Sequence, residues 1–160
     1  MAINVGDRIP SLNLVKATGD GPQPVDTDGF FQGRTVALFS VPGAFTPTCS
    51  AKHLPSFVEK ADELKAKGVD EIACTAVNDP FVMAAWARAS GADGTVTMLA
   101  DGNGELAEAL GLTMDGSKFG MGKRGQRWSA LIEDGVVRRL NVEEPGAYAV
   151  SSAEHMLGQF

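Results

Sequence analysis

One cysteine of this chain, Cys49, stands where a thiol can act as a nucleophile. It follows the apolar run 34–41 and a turn that begins at Pro42, in the stretch SVPGAFTPTCSAKHLP. With Thr46 as the N-cap, Pro47 takes the first helical position and Cys49 the third. Free N–H groups and the positive end of the helix dipole favour a thiolate there, and the thiolate is the reactive form. We therefore expect Cys49 to be a reactive nucleophile.

The other residues limit what Cys49 can attack. A cysteine hydrolase needs a histidine base, but His53 lies a turn deeper in the helix, so we interpret it as a structural histidine bonded to a backbone or side-chain group. A dithiol reductase needs C-x-x-C, which CSAK lacks, and the few cysteines and histidines match no usual zinc pattern. A thiolate without a base suits a peroxide O–O bond, whose departing oxygen gains charge that Thr46 and Arg127 can stabilise.

The composition restricts partners and compartment. Of 160 residues, 44% are hydrophobic and 21% are charged, which predicts one globular domain over residues 1–160. The net charge of −6 argues against nucleic acid or an anionic membrane as a partner. We expect no secretory signal, and no apolar run approaches the ~20 residues of a membrane span. Two cysteines make no disulfide framework, so we expect a reducing cytoplasm.

The elements that must position these residues alternate between strand and helix. Apolar runs predict buried strands at 34–41, 71–78 and 95–101, and Asp134-Gly135 predicts a hairpin. Helical spacing predicts helices at 54–68 with a kink at Pro55, at 80–90 and at 104–112, then a closing helix with Ser151 and Glu154 as a capping box. Residues 113–126 lack periodicity and predict a long functional or mobile loop. This order predicts an α/β fold with a mixed sheet.

The motif around Cys49 resembles the active-site signature of the peroxiredoxins. Their P-x-x-x-T-x-x-C core matches Pro42, Thr46 and Cys49, and PGAFTPTCS followed by HLP resembles the type II subgroup that includes peroxiredoxin-5. The segments ACTAVNDPFVMAAWA, MLADGNGELAEALGL and KRGQRWSALIEDGVV follow in the family's order. The resemblance implies a thioredoxin-like fold, with a central mixed sheet flanked by helices, and a thiol peroxidase acting on hydrogen peroxide and alkyl hydroperoxides.

The resemblance also implies roles for individual residues. Cys49 would be the peroxidatic cysteine, oxidised to sulfenic acid, while Thr46 and Arg127 orient the peroxide. Pro42 would shield the sulfur, and the substrate-binding residues would be Gly43 and Phe45. No metal or organic cofactor is implied. A homodimer is implied, through the loop around Phe45 and the segment NDPFVMAAW, in which simple core packing of Phe81, Val82 and Trp86 is the alternative interpretation.

The chain departs from animal members of the family in its second cysteine. They carry a resolving cysteine near the region matching AYAVSSAEHM, and this chain has none there. Cys74 matches a strand cysteine of plant and bacterial type II forms, and both a buried inert role and a resolving role stay open for it. We expect an external reductant, glutathione with glutaredoxin or thioredoxin. A peroxide sensor that oxidises a partner and a non-catalytic thioredoxin-fold binding module are the alternative functions.

Overall fold

The computed structural model describes residues 2–160, and a seven-stranded mixed β-sheet lies at its centre. The strands of this sheet are β1 (Asn13–Thr18), β2 (Gly21–Asp26), β3 (Thr35–Ser40), β4 (Glu71–Ala76), β5 (Thr97–Ala100), β8 (Trp128–Glu133) and β9 (Val136–Val142). Their order across the sheet is β2-β1-β5-β4-β3-β8-β9. Strands β3, β4 and β5 run parallel to one another, while β1, β2, β8 and β9 join as antiparallel neighbours. The predicted α/β class and mixed sheet are confirmed.

The central strands are apolar on both faces because helices cover both sides of the sheet. In β3, Phe39 faces one buried core and Leu38 the other. The first core packs under α2 (Leu54–Glu59), α3 (Ala61–Ala66), α4 (Pro80–Ala89) and α6 (Ala153–Leu157), and it contains both cysteines. The second core packs under α1 (Thr27–Phe31) and α5 (Glu105–Leu110). The continuous apolar run predicted as a buried strand is therefore the middle of the sheet.

The helix after Cys49 differs from its prediction. Instead of one helix kinked at Pro55, a π-helical turn, Cys49–His53, leads into α2, and a break at Lys60 separates α2 from α3. Pro55 occupies the first turn of α2, directly after the π-helical turn. The π-turn closes when Leu54 N–H donates to Cys49 O, five residues back. The irregularity thus falls before the proline rather than at it.

Three further differences concern segments with weak sequence signals. The patterns predict no element before residue 34, yet β1, β2 and α1 form there, and the two prolines of β2 are tolerated because it is an edge strand. Residues 113–126 form a small hairpin of β6 (Thr113–Asp115) and β7 (Lys123–Gly125) around a short 3₁₀ turn, Ser117–Phe119. The closing helix is capped by Ser152, whose Oγ accepts from His155 N–H, and not by Ser151.

The hairpin predicted at Asp134-Gly135 is confirmed. It joins β8 to β9, and both turn residues have positive φ, 49° and 79°, as a two-residue hairpin turn requires. Across residues 2–160, none of the helices has both the length and the apolar character needed to cross a membrane.

Candidate active site

Cys49 lies where the sequence predicted, at the start of a helix that begins at Pro47. Its side chain has no solvent exposure. Thr46 precedes the first helical residue as expected, but its hydroxyl does not act as a cap: Oγ1 donates to Gly43 O at 2.6 Å. The lone pairs of Thr46 Oγ1 therefore point away from that bond. The Cys49 thiol lies in the first helical turn.

The guanidinium of Arg127 brings Cys49 and His53 together. Its Nη2 donates to Cys49 Sγ at 3.0 Å, and its Nη1 donates to His53 Nδ1 at 2.9 Å. A permanent positive charge in hydrogen-bond contact with the sulfur favours the thiolate. The sequence proposed Arg127 for this neighbourhood without being able to place it, and the structure brings it into direct contact.

His53 is the structural histidine that the sequence predicted, and it also holds Arg127. Its Nε2 donates to Ser151 O at 2.9 Å, so the Nδ1 lone pair is the one that accepts from Arg127. Burial is the larger cause and the positive charge of Arg127 the next, and together they lower the pKa of His53 from 6.5 to about 3. The one lone pair of the neutral His53 ring accepts from Arg127, so His53 cannot act as a base for Cys49. This excludes a cysteine hydrolase mechanism that uses His53.

The turn between β3 and Cys49 is held in a close-packed conformation. Gly43 is buried, and a Cβ there would lie 3.1 Å from Thr46 Cγ2 and 3.2 Å from Met121 Cε, so only glycine fits without displacement. Phe45 has a φ of 66°, which is rare for a residue with a side chain. The residue is 54% exposed and does not line the cleft beside Arg127, so contact of Phe45 with substrate stays a prediction. The left-handed backbone turns it towards solvent.

A cleft of about 670 Å³ opens next to these residues. Arg127 and Thr48, the chain neighbour of Cys49, border it together with Pro42. The remaining lining residues are Thr113, Met114, Asp115, Phe119, Gln126, Glu143, Glu144, Pro145, Gly146 and Ala147. The 113–126 segment therefore shapes the space beside the thiol, as its length suggested. Within residues 2–160, no group of three or more histidine, cysteine or acidic side chains is placed to hold a metal ion.

Comparison with known proteins agrees with this geometry. The Redoxin family model matches residues 4–157. Peroxiredoxin-2E-2, a chloroplastic protein of Oryza sativa subsp. japonica, is 53% identical over 97% of this chain and 71% of its own length. Reduced Prx3 of Vibrio vulnificus in complex with hydrogen peroxide superposes with a TM-score of 0.94 at 48% identity, over 98% of both chains. The chain belongs to the peroxiredoxin family.

A protein from Burkholderia cenocepacia has the same fold under a different name. It is described as a putative thioredoxin reductase and superposes with a TM-score of 0.98 at 44% identity, over 100% of this chain and 99% of its own. The cysteines of the present chain are Cys49 and Cys74, which form no C-x-x-C pair. This peroxiredoxin is accordingly a thiol-dependent peroxidase, and the resemblance stated from the motif is confirmed.

The second cysteine of this peroxiredoxin is buried in the sheet. Cys74 lies in β4, paired with Phe39 of β3 on one side and Met98 of β5 on the other, and it has no solvent exposure. Burial is the largest cause and the electrostatic effect of nearby Cys49 the next, and they raise the pKa of its thiol well above 9.0. Both cysteines are free thiols. The sequence left open a buried inert role and a resolving role for Cys74, and this environment favours the inert role.

The buried neutral His53 predicts a loss of stability in mild acid. In the unfolded chain His53 binds a proton near pH 6.5, whereas in the folded protein it stays neutral down to about pH 3, so acidification favours unfolding. Between pH 7.5 and 5 this contributes about 2 kcal/mol to the loss of unfolding free energy. Urea unfolding of the reduced protein at several pH values measures it.

The matched comparison uses the two histidines of the chain. His53→Gln should remove this part of the pH dependence, while His155→Gln, at an exposed position of α6, should keep it. Equal pH dependence in the wild type and His53→Gln would contradict the assignment.

Proposed function

We propose that Cys49 is the peroxidatic cysteine and that this peroxiredoxin reduces hydrogen peroxide and alkyl hydroperoxides with an external thiol as reductant. The observation that carries the assignment is the hydrogen bond from Arg127 Nη2 to Cys49 Sγ at 3.0 Å. It supplies a fixed positive charge at the point where the thiolate sulfur and the substrate oxygens must meet.

The reaction follows from this arrangement. The Cys49 thiolate attacks one oxygen of the peroxide, an S–O bond forms, and the O–O bond breaks. The departing oxygen leaves as an alkoxide or hydroxide and takes a proton to become an alcohol or water, while the sulfur is left as sulfenic acid. Negative charge moves from sulfur to oxygen in this step, and the Arg127 guanidinium lies close enough to follow it.

The neighbouring residues have supporting roles. The Thr46 hydroxyl gives its proton to Gly43 O, so it offers the peroxide O–H a lone pair and orients the substrate. This refines the expectation that Thr46 stabilises the departing oxygen. Pro42 borders the cleft and limits the access of water, and backbone N–H groups of the turn at Gly43 and of Cys49 bind the substrate oxygens.

The cleft supports the inclusion of alkyl hydroperoxides. Its walls include the apolar side chains of Pro42, Met114 and Phe119, and Phe119 is 79% exposed at the mouth. A volume of about 670 Å³ is ample for an alkyl substituent on the peroxide, whose burial against these side chains favours binding.

An external thiol is the reductant that this chain requires. Glutathione, delivered directly or by glutaredoxin, attacks the sulfenic sulfur as a thiolate and releases water, and a second thiol then frees Cys49 from the mixed disulfide. Thioredoxin could take the same role. Cys74 is buried between two neighbouring strands of the sheet, which supports an external thiol over Cys74 as the resolving group. A thiol-dependent cycle with two free cysteines fits a reducing compartment such as the cytoplasm.

The first test compares Arg127→Lys with the wild type. Lysine keeps the charge but cannot form the fork that reaches Cys49 and His53 together, so the rate of Cys49 oxidation by hydrogen peroxide should fall about 100-fold. Stopped-flow mixing followed by intact mass measures this rate. Arg139→Lys, at an exposed position of β9, should leave it unchanged.

The same assay tests the proposal as a whole. Cys49→Ser should abolish peroxide turnover with glutathione and glutaredoxin. Full activity in Cys49→Ser would disprove the assignment of the nucleophile. Rapid oxidation of the wild type without turnover by any thiol reductant would instead favour the peroxide sensor.

A second variant tests the role of Cys74. Cys74→Ala removes the thiol from a buried site, which should lower the unfolding free energy by about 1 kcal/mol while turnover with glutathione and glutaredoxin stays within about twofold. Intact mass after one equivalent of peroxide should show sulfenic acid in both proteins. Loss of two hydrogens in the wild type, absent in Cys74→Ala, would make Cys74 a resolving cysteine.

We also propose that the protein is a homodimer. Phe45 and Phe81 are 54% and 70% exposed, and their segments are joined because Ala44 N–H donates to Asn78 Oδ1 at 2.9 Å. Two exposed aromatic rings on linked segments form an apolar surface of the kind that protein interfaces bury. Trp86 belongs to the core instead: it has no exposure, and its Nε1 donates to Ser50 Oγ.

A charge placed on this surface should separate the subunits. Phe81→Asp is expected to run as a monomer in light scattering at concentrations where the wild type is dimeric, because pairing would bury the carboxylate. Val5→Asp carries the same charge at another exposed apolar position and should remain dimeric. A wild type that is monomeric at all concentrations would refute the dimer.

A further inference from the structure

Glu143 is a buried carboxylate directly after β9. The residue is only 6% exposed, and its two oxygens accept a cluster of hydrogen bonds from one short loop. Oε2 accepts from the N–H groups of Ala149, Val150 and Ser151 at 2.8–2.9 Å and from Ser151 Oγ at 2.6 Å. Oε1 accepts a further bond from Ala149 N–H at 2.9 Å. The carboxylate thus fixes the conformation of 149–151.

This carboxylate is compensated by neutral donors rather than by a cation. Among the ion pairs between residues 2–160, none includes Glu143. Burial alone would raise the pKa of Glu143, but the bonds from Ser151 Oγ and from the backbone N–H groups of the loop outweigh burial and lower it. Glu143 therefore stays ionised and holds the loop across the neutral pH range.

The loop fixed by Glu143 leads to the reactive sulfur through three hydrogen bonds. Ser151 O accepts from His53 Nε2 at 2.9 Å, His53 Nδ1 accepts from Arg127 Nη1 at 2.9 Å, and Arg127 Nη2 reaches Cys49 Sγ at 3.0 Å. Each bond determines the next, because a carbonyl at Ser151 selects the His53 tautomer whose Nδ1 can accept from a guanidinium.

Glu143 also acts at the other end of the same arginine. Its backbone N–H donates to Arg127 O at 3.0 Å, which extends the pairing of β8 with β9 by one residue pair. A single residue thereby holds the Arg127 main chain directly and the Arg127 side chain through Ser151 and His53. This closed arrangement restricts both ends of the arginine side chain.

We propose that Glu143 is a positioning residue for the peroxidase reaction, acting through the Ser151 carbonyl and His53 to hold the Arg127 guanidinium on Cys49. This role rests on the functions proposed above for Cys49 and Arg127. Glu143 itself does not touch the reacting sulfur.

The isosteric variant Glu143→Gln tests this role. The amide N–H of glutamine would face the N–H donors of the loop, so the loop and the Ser151 carbonyl would shift. His53 would then lose its fixed tautomer, and Arg127 its fixed orientation. We expect the rate of Cys49 oxidation by hydrogen peroxide to fall about 10- to 100-fold, since small displacements of a catalytic group have effects of this size. Glu59→Gln removes a carboxylate at an exposed position of α2 and should leave the rate unchanged.

Two further readouts separate positioning from a general loss of structure. In ¹⁵N NMR, the His53 ring of the wild type should show the Nε2–H tautomer, and Glu143→Gln should show exchange between tautomers. The pH profile of Cys49 alkylation should move to higher pH in Glu143→Gln, because the sulfur loses its guanidinium partner. Glu143→Asp, which keeps the charge on a shorter side chain, should recover part of the rate.

The outcomes are distinct. A folded Glu143→Gln with wild-type rate, His53 spectrum and pH profile would overturn the proposal, and so would a reduced rate with an unchanged spectrum and profile. If Glu143→Gln does not fold, Ser151→Ala removes only the hydroxyl contact and should give a smaller change of the same kind, about two- to threefold in rate. Full peroxidase activity in Cys49→Ser would instead refute the proposed function.

Discussion

The site depends on one guanidinium that serves two acceptors at once. Arg127 must reach the Cys49 sulfur with one terminal nitrogen and His53 Nδ1 with the other, and its planar geometry fixes the distance between them. Burial is essential to this arrangement, because a protonated His53 would have no lone pair for Arg127 and would repel it. The same low-polarity surroundings that keep the imidazole neutral therefore strengthen the charge acting on the sulfur.

The sheet supplies the rigid frame that brings these side chains together. The pairing of β3 with β8 places Ser40 opposite Trp128, so Arg127 lies across from the residue after β3, where the turn to Cys49 begins. The Arg127 main chain is held by Glu143 at the end of β9. The helix start at Cys49 and the side chain of Arg127 thus lie at one end of adjacent antiparallel strands, and neither depends on a long flexible loop.

The irregular backbone around Cys49 contrasts with this frame. A π-turn begins at Cys49, and Phe45 has a φ of 66° four residues earlier. Both conformations are less favourable than regular helix or turn and persist because packing holds them, a pattern found often at functional sites. His53, the last residue of the π-turn, accepts from Arg127. The regular strands thus position Arg127 relative to Cys49, and the irregular backbone determines the conformation of the turn before Cys49.

Much of the fold could be predicted from local patterns. The continuous apolar runs indicated the central parallel strands because both faces of these strands are covered, and Asp134-Gly135 indicated the β8–β9 hairpin because its turn requires positive φ. Pro47 likewise marked the helix start at Cys49. By contrast, the edge strand β2 contains two prolines and gives no strand signal in the sequence. The sequence also predicts Ser151 as the cap of the closing helix where the structure has Ser152, because two adjacent serines cannot be distinguished by type.

The sequence by itself determined the family and the place of Cys49 at a helix start, because motif, turn and cap signals lie within a few residues of one another. The tertiary structure decided the partners of Cys49. Arg127 is 78 positions from Cys49 and 74 from His53, and Ser151 is 98 positions from His53. Contacts over such separations depend on strand register and on the packing of α6 against α2 and α3, which local patterns do not encode. The same holds for the outward turn of Phe45 and the full burial of Cys74, since exposure is a property of the whole fold.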